Sequence, residues 1–125
     1  MPAEPPARFR GGRNVAMKLP PERFDATLAF YRDVLGLPVE SRGPGTAVVT
    51  FGPMRLWLDR VPTVSQAEVW LEIETPSAEA AASLLDKAGV IRCDDIEPLP
   101  EGFKGFWIKN PADIVHLVAE PNEED

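Results

Sequence analysis

The stretch from Phe24 to Leu37, FDATLAFYRDVLGL, decides how the rest of the chain is read. Phe24, Thr27, Leu28, Tyr31, Val34 and Leu35 recur at steps of three and four, the spacing of one face of an amphipathic helix. Asp25, Arg32 and Asp33 fall on the opposite face, and Gly36 stands where a residue tolerant of positive φ ends a helix cheaply. A one-sided helix of about three turns must lie on another element. That element is sought on either side of it.

Upstream, Asn14 to Leu19 (NVAMKL) alternates, with Val15, Met17 and Leu19 on one face and Asn14, Ala16 and Lys18 on the other. Pro20-Pro21 breaks this strand. Downstream come a short strand at Pro38 to Ser41, a turn at Gly43-Pro44-Gly45 and a β-branched strand from Thr46 to Phe51. Gly52-Pro53 then turns the chain into a strand from Met54 to Arg60.

The pattern restarts at Glu68 to Glu74, EVWLEIE, where Val69, Leu71 and Ile73 alternate with Glu68, Trp70, Glu72 and Glu74. Ser77 caps a helix predicted over Ala78 to Ala88, with Ala81, Leu84, Leu85 and Ala88 as its buried stripe and Gly89 as its stop. Val90 to Cys93 reads as strand-like, and Phe103 to Lys109 and Ile114 to Ala119 read as strands separated by Asn110-Pro111. The chain therefore contains two βαβββ units, over about residues 13–60 and 67–120. The expected fold is α+β, a curved mixed sheet with helices on its outer face and a cleft on its inner face. Residues 1–12 are expected to form a flexible arm and 121–125 a solvated acidic tail.

A length of 125 residues suits one domain, and 44% apolar with 26% charged residues is ordinary globular composition. No apolar run is long enough to span a bilayer, so no membrane partner is expected. The N-terminal residues lack the apolar run of a secretory signal, and a cytoplasmic location is expected. The single cysteine, Cys93, excludes an intrachain disulfide and reads as an inert buried thiol. A net charge of −7 argues against a nucleic-acid partner.

On these residues the chain resembles the vicinal oxygen chelate superfamily, which includes glyoxalase I, bleomycin-resistance proteins and extradiol dioxygenases. LAFYRDVLGL (Leu28 to Leu37) after a strand is the most specific element, and LPPERFDATLAFY (Leu19 to Tyr31) is similar to the entry of bleomycin-resistance proteins. Asn110-Pro111 resembles the family's Asp-Pro-Asp-Gly turn, with Ala112-Asp113 in place of Asp-Gly. The resemblance implies ligand positions on the first and last strands of each unit. Here these are Asn14, Trp57, Glu68 and His116. The family pattern at these places is His or Gln, Glu, His and Glu. Only Glu68 and His116 are good metal ligands, with their types exchanged, and a catalytic zinc normally has three protein ligands.

Glu68, Glu72 and Glu74 share a face with Trp70, and carboxylates so spaced point into water, lose charge, or have a cation nearby. Trp57 and Trp70 beside carboxylates suit an organic cation, or a dimer seam. The leading expectation is a homodimer binding a small organic molecule, possibly cationic, at Asn14, Trp57, Glu68, Trp70, Glu72 and His116, with no cofactor required. Glu68 or His116 would be the general base if a reaction occurs. One alternative is a lyase or dioxygenase of the glyoxalase type with a divalent metal on Glu68 and His116. The other is a non-catalytic dimeric interaction module.

Overall fold

The computed structural model describes residues 8–121. Its elements are β1 (Arg10–Gly11), β2 (Asn14–Leu19), α1 (Pro21–Ala29), a π-helical turn (Phe30–Val34), β3 (Val39–Ser41), β4 (Thr46–Phe51) and β5 (Met54–Arg60). Then follow β6 (Glu68–Glu74), α2 (Ala78–Lys87), a short 3-10 turn (Asp94–Ile96), β7 (Gly105–Lys109) and β8 (Val115–Ala119). Eight strands in mixed pairing and two helices make an α+β fold. The chain forms two compact units. One is residues 13–70; the other combines the described residues before 13 with those from 71 onward.

In the first unit the strands run in the order β3-β4-β5-β2, and the first half of β6 pairs antiparallel with β2. β2 and β5 are parallel, in register from Asn14↔Arg55 to Leu19↔Arg60. Leu19, Phe24, Val49, Leu56 and Leu58 form the core, with Val15, Met17, Leu28, Tyr31, Leu37 and Val39 packed against it. The odd-numbered residues of β2 thus face α1. Leu58 is fully buried, so Leu58→Ala should cost about 3 kcal/mol.

The helix differs from its sequence reading at both ends. It starts at Pro21, whose missing N–H costs nothing in the first turn. After Ala29 it widens, with Leu35 N–H donating to Phe30 O at 3.0 Å and Leu37 N–H to Tyr31 O at 3.0 Å. A wider turn advances each residue by a smaller angle, so the apolar stripe drifts off the core. Val34 and Leu35, 72% and 48% exposed, fall outside the core, whereas Leu37 reaches it.

In the second unit Arg10 and Gly11 pair antiparallel with Glu74 and Ile73, so the described end of the expected arm is a short strand. The second half of β6 pairs parallel with β8, which pairs antiparallel with β7. Ala81, Phe106, Ile108 and Val118 form the core with Ile73, Ala82, Leu85 and Val90. Ser77 Oγ accepts from Ala80 N–H at 3.1 Å, and Glu120 Oε2 accepts from Ala78 N–H at 3.0 Å, which places a carboxylate at the helix start. At the other end Val90 N–H donates to Leu85 O and Gly89 N–H to Asp86 O, with Gly89 at φ +79°, a Schellman stop. Val90 to Cys93 is not a strand; only Arg92 forms a bridge, to Ile108.

Candidate functional site

The helix-free face of the first unit is built outward from β2. Its even-numbered residues, Asn14, Ala16 and Lys18, lie beside Arg55, Trp57 and Asp59 of β5. On the other side, β6 places Trp70 opposite Ala16 and Glu68 opposite Lys18. Two indoles therefore flank the smallest residue of the strand, and two carboxylates flank its lysine. Neighbouring strands are about 4.8 Å apart, which keeps each β2 residue within reach of the residues opposite it.

Lys18, the two indoles and Arg42 are each engaged. Lys18 Nζ lies 2.9 Å from Asp59 Oδ2 and 4.3 Å from the centroid of the Trp70 ring, and Lys18 is only 3% exposed. Trp70 Nε1 donates to Glu68 Oε1 at 3.1 Å, and Trp57 Nε1 donates to Asn14 Oδ1 at 2.8 Å. The Arg42 guanidinium stacks 5.4 Å from the Trp57 ring. The cation that the carboxylate row and Trp70 call for is thus present in the chain, as Lys18. Sequence reasoning noted Lys18 on this face and assigned it no role. The signal was its parity with Asn14, together with Asp59 standing two residues after Trp57.

Glu72 and His116 belong to the second unit. There β8 sets His116 in register with Leu71, and Leu117 in register with Glu72. His116 accordingly shares its face with Leu71, Ile108 and Val118, whereas Glu72 shares the other face with Leu117 and Trp107. His116 Nδ1 is 3.0 Å from Ile114 O. The backbone carbonyl of Glu72 accepts from Gly12 N–H at 2.8 Å. Burial pushes the Cys93 thiol up from its ordinary range, and the nearby Lys109 only partly offsets this.

The Trp57 indole has no ligating lone pair, the Asn14 amide oxygen receives that indole, and Glu68 receives the other. Among the described residues no three His, Cys, Asp or Glu side chains gather as a metal site. A cavity within the second unit is lined by Arg8, Phe9, Arg10, Glu74, Thr75, Pro76 and Pro121. No described helix is long and apolar enough to cross a membrane.

The sequence profile of the glyoxalase-like domain matches residues 15–112. No curated protein matches the sequence. Among solved structures, the Mn(II)-bound glyoxalase of Novosphingobium aromaticivorans is 22% identical over 91% of this chain, at a TM-score of 0.63. Methylmalonyl-CoA epimerase of Mycobacterium tuberculosis is 13% identical over 99% of it, at 0.61, and 95% of that chain is covered. A variant of homoprotocatechuate 2,3-dioxygenase of Brevibacterium fuscum is 17% identical over 97%, at 0.62. This chain spans 40% of the glyoxalase and 35% of the dioxygenase. At these identities the likeness is one of fold.

Proposed function

The chain belongs to the glyoxalase-like domain family, and on that premise we propose that it binds a small neutral aromatic molecule on the helix-free face of residues 13–70, as a cytoplasmic homodimer and without a resident metal. One observation carries the reading. Asn14 Oδ1 and Glu68 Oε1 each accept an indole N–H, which gives the face an aromatic and amide character. Trp57 and Asn14 are only partly buried and Glu68 is exposed, so a ligand can reach them. Lys18 fills the cationic place beside Trp70, which disfavours an organic cation as the ligand. Stacking on Trp57 is the contact that such a molecule would make.

The experiment is a fluorescence titration with 1-naphthamide, a neutral aromatic amide, and in parallel with phenyltrimethylammonium. Saturable quenching by the amide, reduced roughly tenfold in Trp57→Ala, supports the reading, because one aromatic contact is worth about 1 kcal/mol or more. Quenching by the cation alone would overturn it. Stoichiometric divalent metal in protein purified without chelators, lost in Glu68→Ala, would favour the lyase or dioxygenase alternative.

A further inference from the structure

The second unit contains a cavity of about 420 Å³ that none of the residues discussed for the sheet face enters. Small-ligand pockets run from about 300 to 1,000 Å³, so its size suits an organic molecule of modest length. Its walls are apolar and stiff: Phe9, 40% exposed, and the rings of Pro76 and Pro121. Thr75, 1% exposed, also lines it, and its hydroxyl reaches Ser77 O only at 3.5 Å. That is a long hydrogen bond, which a closer partner can displace.

The charge of the lining is unusual for this chain. Two arginines, Arg8 and Arg10, stand against one carboxylate, Glu74, in a protein whose net charge is −7. Arg10 Nε donates to Glu74 Oε1 at 2.7 Å, with Glu74 8% exposed, and the pairing of Arg10 with Glu74 in the β1–β6 ladder fixes that arginine at the rim. One ion pair, its carboxylate buried and its guanidinium at the surface, therefore balances one arginine and leaves the cavity with a net positive lining. A guanidinium over an apolar pocket recognises a carboxylate attached to an apolar body, through paired N–H donors.

We propose that this cavity binds an organic carboxylate with an apolar body, its acid at Arg8 and its body against Phe9, Pro76 and Pro121. The site is separate from the aromatic face and does not depend on the reading given to that face. The test is calorimetric titration of the full chain with 4-phenylbutyrate and with 4-phenylbutanamide, together with amide shifts of Phe9 and Thr75 by NMR. The acid should bind roughly tenfold more tightly than the amide, shift both residues, and lose about tenfold in Arg8→Gln, as expected for a charge-assisted hydrogen bond. Equal binding of acid and amide, or shifts confined to residues 14–18 and 57, would overturn the proposal. Ending the chain after Pro121 should leave the affinity within about twofold; a gain of about tenfold would make the chain's own carboxylates the occupant and would also overturn it. Failure here leaves the Trp57 titration untouched, so the two readings fail separately.

Discussion

The three tryptophans divide into two kinds, and the division follows the two units. In residues 13–70, the indole N–H groups of Trp57 and Trp70 end on side chains, Asn14 and Glu68. In the second unit Trp107, 5% exposed, donates to the backbone carbonyl of Glu97 at 2.9 Å. A backbone acceptor fixes a tryptophan as part of the core. A side-chain acceptor does this too, and in addition occupies one oxygen of that side chain, Asn14 Oδ1 or Glu68 Oε1. The corresponding face of the second unit carries Glu72, Glu74 and Lys109 beside Trp107, Val115 and Leu117.

The largest expected effect is at Lys18. Lys18→Ala removes the charge between Asp59 and Trp70 from a nearly closed site and should cost about 3 kcal/mol in denaturant unfolding. A cost below about 1 kcal/mol would mean that the lysine does not hold that face together. Next in size is the contrast among tryptophans. Trp107→Phe leaves a carbonyl in the second unit without its indole donor and should cost about 1–2 kcal/mol, whereas Trp57→Phe frees a half-buried amide that water can reach and should cost about half as much. Equal costs would erase the distinction drawn above.

Smaller effects sharpen the picture of the second unit. Ser77→Ala removes the cap of α2 and should cost about 1 kcal/mol by thermal unfolding, with Glu120 still holding Ala78 N–H. In the turn before β8, Asp113 sits at φ +64°, the place a glycine would take most easily. Asp113→Gly should raise stability by up to about 0.5 kcal/mol, since relief of the backbone outweighs the added freedom of the unfolded chain only slightly. Cys93, whose thiol is pushed up by burial, should alkylate more slowly at pH 8 than glutathione does; equal rates would show that the burial is not sustained in solution.

The fold was legible because its signals are local. Alternation in NVAMKL and EVWLEIE, the Ser77 cap and the Gly36 and Gly89 stops each mark an element without reference to any other. The π-helical turn after Ala29 was not legible, because the apolar stripe runs on through Val34 and Leu35 while the backbone changes pitch beneath it. In the site, the shared face of Trp57 and Trp70 followed from parity alone. The face of His116 did not. β8 reads Val-His-Leu-Val-Ala and is apolar on both sides, so the sequence carries no alternation to say which way the imidazole points, and only the register with Leu71 decides it. The cavity beside Arg8 depends on β1 pairing with a strand more than sixty residues away, a long-range contact that no local pattern announces.

The central claim is that Lys18 stands in the cationic place of the aromatic face. The most direct measurement is phenyltrimethylammonium binding to the wild type and to Lys18→Met, followed by tryptophan fluorescence. Methionine keeps the apolar stem and removes the charge, which leaves the Trp70 ring and the Asp59 carboxylate without their cation. The account predicts no saturable binding to the wild type, and binding with roughly tenfold or greater gain in the variant. Tight binding of the cation to the wild type, unchanged by the substitution, would contradict it.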